Sequence, residues 1–287
     1  MALADAIDLL TCPYCRGPLV LAPGGRAVRC AEEHSFDVAR QGYLNLHTGR
    51  APKNADTTAM VAARDRFLTA GPYAPIVDRL VKLATAHAAR EAIRLLEVGA
   101  GTGYYLSGLL DGLEAAGITA PRGVALDVSV AAARRAARAH PRVASVVADV
   151  WQPLPLGDGS VDLLLDVFAP RHADEFRRVL AASGLLLVVT PQAEHLGELR
   201  RALGLLDIQP AKHEELRSTL AGALSEQTSE SLQFAVTLED DSVRDLVAMG
   251  PNAFHLSEAQ IEDRVASVPT PVRVTAAVTL SVWSPRG

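Results

Sequence analysis

The chain has 287 residues, 49% of them hydrophobic and 21% charged, with 21 glycines and 17 prolines, a balance that supports a large core and excludes collagen-like and wholly disordered architectures. A formal charge of −5 excludes a protein that coats nucleic acid indiscriminately, because Lys and Arg carry such binding. Apolar runs such as Leu185 to Val189 fall far short of the ~18 residues a membrane-spanning helix needs, and Asp5 and Asp8 interrupt an N-terminus without the basic region of a signal peptide, so no membrane partner and a cytoplasmic location are expected.

All three cysteines fall in the first 30 residues, and clustered thiols in a cytosolic chain point to a metal rather than a disulfide. Cys12-Pro-Tyr-Cys15 is followed by Cys30 and, after three intervening residues, His34. Three thiolates and an imidazole close a tetrahedral shell around Zn2+ with no open position, which describes a structural site. Arg16-Gly17 completes a tight knuckle, and Pro23-Gly24-Gly25 marks a hairpin tip. A redox pair of Cys12 and Cys15 is the alternative, but that chemistry sits at a helix start in a βαβ pattern that this stretch lacks.

From Cys12 to Lys53 six basic residues meet three acidic ones, whereas the C-terminal part is acidic, with Glu239, Asp240 and Asp241 together. An anionic partner is therefore expected at the N-terminal end. Residues 1–50 hold too few large apolar side chains for a core of their own, so the metal is expected to hold this module together. Asp37 to Leu46 reads as a turn-rich extension and Thr48 to Lys53 as an exposed linker. The division expected is a zinc-binding module over 1–50, the end that would meet an anionic partner, and a second domain over 51–287.

Apolar residues at helical spacing predict helices over Asp56 to Ala70 and Tyr73 to Ala89, split by Gly71-Pro72. Beyond them strand and helix alternate. Strands are predicted at Ile93 to Val98, Gly123 to Leu126, Val143 to Val147, Val161 to Val167 and Leu185 to Val189, with helices at Tyr104 to Ala116, Val130 to His140 and Ala173 to Leu180. Regular alternation with nearly continuous apolar strands means an α/β protein with a parallel sheet covered on both faces. Val272 to Trp283 reads as a long β-branched strand added antiparallel to that sheet.

Glu97-Val-Gly99-Ala-Gly101-Thr-Gly103-Tyr104 falls between the first strand and the next helix, where doubly wound sheets bind nucleotides. A dinucleotide fingerprint wants Gly-x-Gly-x-x-Gly/Ala, whereas position 104 is Tyr and the third glycine is Gly103. S-adenosylmethionine, with no pyrophosphate to seat, fits better than NAD. Asp127 ends the second strand, placed to accept hydrogen bonds from ribose hydroxyls, and Asp149 follows the third, within reach of an adenine amino group; an N-cap role for Asp127 stays open. At the end of the fourth strand, Asp166-Val-Phe-Ala-Pro170 is expected to form the target pocket, with Phe168 stacking on a planar base. An ordinary core role for Phe168 is the alternative.

With these residues in hand, the chain resembles the bacterial 23S rRNA (guanine-N1)-methyltransferases, including the branch linked to macrolide (tylosin) resistance. The resemblance rests on Cys12-Pro-x-Cys15 with Cys30-x3-His34, Ser35-Phe-Asp-Val38, Gly42-Tyr-Leu-Asn-Leu46, Arg64 to Tyr73, Gly101-x-Gly-Tyr-Tyr105, Leu126-Asp-Val-Ser129, Phe168-Ala-Pro170 and Thr190-Pro-x4-Leu196. It implies a Rossmann-like class I S-adenosylmethionine methyltransferase domain behind an N-terminal zinc-binding module, a homodimer, and methylation of one guanine N1 in a hairpin loop of 23S rRNA. It also implies that Tyr73, Tyr105, Leu106 and His195 help surround the cofactor. Guanine N1 carries a proton that must leave, and Asp166 is the candidate general base from its place beside the pocket. Arg16, Arg26, Arg29 and Arg40 are expected to grip rRNA phosphates. Two rivals stay open: a small-molecule methyltransferase, which would not need the zinc module, and a non-catalytic RNA-binding protein that keeps the cofactor fold.

Overall fold

The computed structural model describes residues 2–49, 55–87, 93–205, 211–254 and 256–286. The linker expected over Thr48 to Lys53, and with it the boundary between residues 50 and 51, lies outside the described residues apart from Thr48 and Gly49.

The chain begins with a short helix α1 (Ala2–Ala6) and a 3-10 turn (Ile7–Leu9). Strands β1 (Val20–Leu21), β2 (Ala27–Arg29) and β3 (Ser35–Asp37) follow, forming a small antiparallel sheet in that order. Gly24 and Gly25, with φ of 85° and 68°, supply the left-handed backbone of the hairpin tip. β4 (Leu44–Asn45) lies inside the stretch read as a turn-rich extension, yet it pairs in parallel with Val146–Val147 and becomes one edge of the large sheet.

The remainder supplies α2 (Thr58–Thr69), α3 (Ala74–His87), β5 (Arg94–Val98), α4 (Tyr104–Ala115), β6 (Arg122–Asp127), α5 (Val130–Ala136), β7 (Val143–Val147), β8 (Val161–Val167), α6 (Ala173–Val179) and β9 (Leu180–Pro191). Next come α7 (Gly197–Leu203), α8 (Ala211–Ala221), β10 (Leu224–Leu238), α9 (Asp240–Ala248), α10 (Glu258–Ala266) and β11 (Val272–Pro285). The large sheet has eight strands in the order β10-β11-β9-β8-β5-β6-β7-β4. β4 to β9 run parallel, and β11 joins β9 antiparallel, as its β-branched sequence predicts. The strand order reverses between β5 and β8, which opens the crevice that doubly wound sheets use for ligands.

Several elements differ from expectation. α5 stops at Ala136 rather than reaching His140; Pro141 disfavours helical backbone at the residue before it. β9 spans 12 residues because its start pairs with Val161 and its end with β11. β10, 15 residues of alternating half-buried and exposed positions, forms only because β11 pairs with it along its length.

The sheet separates two cores. On one face α2, α3 and α4 cover Leu95, Leu163 and Leu165, and Gly108 and Gly112 let Val77 and Val81 of α3 approach so closely that a Cβ on either glycine would meet them at 2.6 and 2.3 Å. On the other face Leu96, Val98, Leu164 and Phe176 pack with Leu3, Leu9, Leu10, Leu19, Val28 and Leu44 from the N-terminal segment. Each such leucine contributes about 2 kcal/mol of burial to a core that the two parts of the chain share.

Candidate functional site

The knuckle after Cys12 closes with the Cys12 amide donating to the Gly17 carbonyl at 2.8 Å and the Arg16 amide donating back to Cys12 at 2.8 Å. β2 and β3 then deliver Cys30 and His34 opposite it. One ligand atom from each of Cys12, Cys15, Cys30 and His34 lies within 4.8 Å of all the others, and no cysteine is in a disulfide. Tetrahedral zinc with bonds of about 2.3 Å to sulfur and 2.05 Å to nitrogen has edges of about 3.8 Å between sulfurs and about 3.6 Å from sulfur to nitrogen. The Cys15–Cys30 sulfurs are 3.6 Å apart, and His34 Nδ1 lies 3.6 Å from Cys12 Sγ and 3.3 Å from Cys30 Sγ. The donor set fits structural zinc, with His34 ligating through Nδ1.

At the crevice, Gly99, Gly101 and Gly103 all adopt left-handed φ, 60°, 54° and 77°. A Cβ on Gly99 would come within 2.6 Å of the Ala169 Cβ, so the turn depends on a bare backbone against the exit of β8. Asp127, ending β6, accepts hydrogen bonds from the Gly101 amide at Oδ2 and the Ser129 amide at Oδ1, both 2.8 Å. Burial pushes its carboxyl above the usual carboxylate range against the pull of those two amides. Ser129 supplies the N-cap of α5, so Asp127 braces the glycine turn and still has lone pairs to spare. Bare glycine backbone beside a carboxylate at the switch point fits the nucleoside and amino-acid parts of S-adenosylmethionine.

Glu97 is fully buried and accepts the Leu106 amide at 3.1 Å, anchoring the first turn of α4; burial drives its carboxyl well above the ordinary range. The Leu106 side chain lies in the core against Gly123 rather than at an open surface. Tyr105, 7% exposed, meets Tyr104 edge-on at 5.1 Å.

Tyr73 and His195, 122 residues apart, come together with Tyr73 Oη 3.0 Å from His195 Nε2. The Ala277 amide of β11 donates to His195 Nδ1 at 3.1 Å. The neutral ring therefore carries its proton on Nε2 and donates it to Tyr73, whose own hydroxyl proton is left to point elsewhere. Burial holds His195 down to about 4, so the ring is neutral at physiological pH. Phe168, 40% exposed and strained into left-handed backbone at φ 57°, turns its ring to within 6.3 Å of Tyr73 and 5.9 Å of His195.

Asp166 is not part of that group. It shares a face of β8 with Leu164, in the core opposite the one that holds Leu165 and Val167. Its carboxylate is fully buried and faces Arg171 at 3.1 Å without a well-directed hydrogen bond from a side chain. Burial, more than Arg171 offsets, pushes it up to about 7. Instead of flanking an open pocket, as its sequence position suggests, it lies enclosed in the core.

Asp149 caps the end of β7 by accepting the Trp151 amide at 3.0 Å. Sequence reasoning assigned no role to Arg64, although it falls in the Arg64 to Tyr73 match. Arg64 leans on Gly101, pairs with Asp56 and donates to the Met249 carbonyl at 2.8 Å, tying α2, the glycine turn and the C-terminal part together. Arg171 was likewise missed, because its partner Asp166 is disclosed only by the turn after β8.

Residues 10–47 match a zinc-ribbon family model described as "RlmA, N-terminal", and residues 96–188 match one described as "Methyltransferase domain". A 23S rRNA (guanine(748)-N(1))-methyltransferase of Streptomyces fradiae is 43% identical over 282 residues, which cover 98% of each chain. A protein of Micromonospora griseorubida, provisionally named as a 23S rRNA (guanine-N(1)-)-methyltransferase, is 45% identical over 98% of this chain and 99% of its own. A chain in the complex of the Haloferax volcanii Trm112 methyltransferase activator with a methyltransferase is 18% identical, covers 82% of this chain and 100% of its own, and superposes with a TM-score of 0.50. At that identity it shows the fold alone.

Proposed function

Since the chain belongs to the family of 23S rRNA (guanine-N1)-methyltransferases, we propose that it transfers the methyl group of S-adenosylmethionine to N1 of one guanine in a hairpin loop of 23S rRNA, as a member of the branch linked to macrolide resistance. The observation that carries this reading is the physical joining of a Cys3His zinc site to the cofactor end of the sheet. β4 pairs with β7, and the Thr11 amide beside Cys12 donates to the Pro155 carbonyl at 3.0 Å. A small-molecule methyltransferase has no use for such a module.

The bound cofactor supplies a methyl group activated on a sulfonium. Gly99, Gly101 and Gly103 would let its amino-acid end approach the backbone, Asp127 would accept the ribose hydroxyls, and Asp149 would face the adenine edge. Tyr73, buried and positioned by His195, would offer a hydroxyl donor, and Phe168 a face on which the guanine stacks. Tyr105, Leu106 and Glu97 support this from behind. Holding N1 in line with the methyl group contributes through proximity. A carboxyl held near 7, as Asp166 is, suits withdrawal of the N1 proton at neutral pH; its enclosure requires the 168–171 turn to open when RNA binds. Arg16, Arg26, Arg29 and Arg40 supply cations for phosphates of the hairpin.

No helix among the described residues is long and apolar enough to cross a membrane. The proposed working form is a cytoplasmic homodimer, whose mass sedimentation velocity would read directly. The decisive test is methyl transfer from labelled S-adenosylmethionine to unmodified 23S rRNA and its isolated hairpins, mapped by primer extension. A stop at a single guanine is expected. Cofactor binding without incorporation into either RNA would refute the reading.

A further inference from the structure

Among the described residues the exposed large aromatic side chains are Tyr14, Trp151, Phe168 and Phe254. Trp151 is 60% exposed, although burying an indole is among the larger hydrophobic gains open to a chain. Its position is not slack. The Trp151 amide donates to Asp149 Oδ1 at 3.0 Å and the Gln152 amide to the Asp149 carbonyl at 3.0 Å. Downstream, the Leu154 amide donates to Glu175 at 2.7 Å, and Arg178 donates to the Leu154 and Leu156 carbonyls at 2.9 and 2.8 Å. Pro153 and Pro155 stiffen what lies between.

The loop that carries Trp151 links two places. It starts at Asp149, on the cofactor end of β7, and ends at Pro155 and Leu156, which pair with Thr11 and Leu10 beside the first zinc ligand. At the far end of the loop, the charge of Arg16, in the zinc knuckle, reaches Asp158 and Glu175 of the clamp that holds it. A rigid, outward-facing indole on a loop that runs from a methyl-transfer crevice to a zinc module suits the way proteins hold single-stranded nucleic acid, with an aromatic face under a base and cations of the module further along for its phosphates. Preorganisation keeps the ordering cost of such a contact small.

We propose that Trp151 is the stacking platform for an unpaired base that neighbours the methylated guanine in the RNA substrate. This rests on the rRNA-methyltransferase reading above. The contact acts on RNA binding and leaves the cofactor contacts untouched.

The chain has two tryptophans, and the other, Trp283, is 2% exposed, so the difference in emission between wild type and Trp151→Phe reports on Trp151. Titration with the unmodified hairpin is expected to quench wild-type fluorescence and to leave Trp151→Phe nearly unaffected. In methylation assays, Trp151→Ala is expected to raise KM for the hairpin about 5- to 100-fold with kcat little changed, and Trp151→Phe to recover most of that loss. Zinc content and S-adenosylmethionine affinity, measured in parallel, should match wild type. An unquenched signal with unchanged KM overturns the proposal while the methyltransferase reading stands. So does a loss confined to S-adenosylmethionine affinity, which would put Trp151 in the cofactor pocket, or a dimer that dissociates in Trp151→Ala, which would put a second copy of the chain over it. Failure of the wild-type protein to methylate RNA at all removes the underlying reading and this proposal with it.

Discussion

In the N-terminal segment the strands of the small sheet are two or three residues long, and four side chains converge on one point to hold them. In the large sheet β5 to β8 are five to seven residues long and almost wholly buried, and no metal is needed. Both regions fold the same kind of backbone, but the first exchanges burial for ligation. A structural zinc site supplies about 10–16 kcal/mol in peptides, enough to replace the apolar area that fewer than 50 residues cannot enclose. The shared core of Leu10, Val28 and Leu44 with Leu96 and Val124 shows that the exchange is incomplete, since the module also leans on its neighbour.

Removing the metal should have the largest effect. With a chelator, or in Cys30→Ser, amides of residues 10–47 are expected to exchange at nearly unfolded rates, while β5, β6 and β8 retain protection by hydrogen-exchange mass spectrometry. Simultaneous loss of protection in β6 and β7 would mean that the shared core makes the two regions one cooperative unit, and the contrast would collapse.

Two glycine substitutions sharpen the comparison at smaller scale. Gly99→Ala adds a Cβ that meets Ala169 at 2.6 Å in left-handed backbone, whereas Gly24→Ala, at φ 85° in the zinc module, meets nothing within 4 Å. Gly24→Ala should cost only backbone strain, about 1–2 kcal/mol. Gly99→Ala should add a similar amount from the forced shift and weaken S-adenosylmethionine binding at least tenfold by calorimetry. Equal effects at the two sites would deny the glycine turn its special role.

A further contrast concerns pH. Folding raises Asp166 from its ordinary 3.8 to about 7. Between those values the folded protein holds a proton that the unfolded chain has released, so this group's contribution is present below pH 4 and is lost as pH rises through 7. Asp166→Asn lacks that slope. Its melting temperature relative to wild type should therefore climb from pH 4 to pH 7 and level off above. A difference flat across that window would mean that Asp166 is ionised throughout. His195, depressed to about 4, contributes the opposite slope in both proteins and cancels from the difference.

Legibility followed the range of the interaction. The zinc ligands lie within 23 positions of one another, and their types and spacing announce the site before any fold is known. The glycine turn, Asp127 and Asp149 sit at strand ends that the apolar runs mark out. Asp166 shows the limit: its sequence position beside the Phe168 turn suggested an open pocket, while strand alternation and Arg171 turn its carboxylate to the other face. Tyr73 and His195 were expected near the cofactor only through resemblance, and their hydrogen bond, with the tautomer that Ala277 imposes, required two distant segments to meet.

The sequence by itself determined the parallel core of the sheet, the metal chemistry and the place of the cofactor turn, because apolar periodicity, ligand spacing and glycine backbone are local properties. Tertiary structure alone decided that Leu44–Asn45 closes one edge of the large sheet and Leu224–Leu238 the other, since a short or polar strand forms only where a partner offers it hydrogen bonds. It also decided which side chains stay outside. Trp151 and Trp283 are the same residue by composition, and only packing buries the second against the sheet and leaves the first facing solvent beside the crevice.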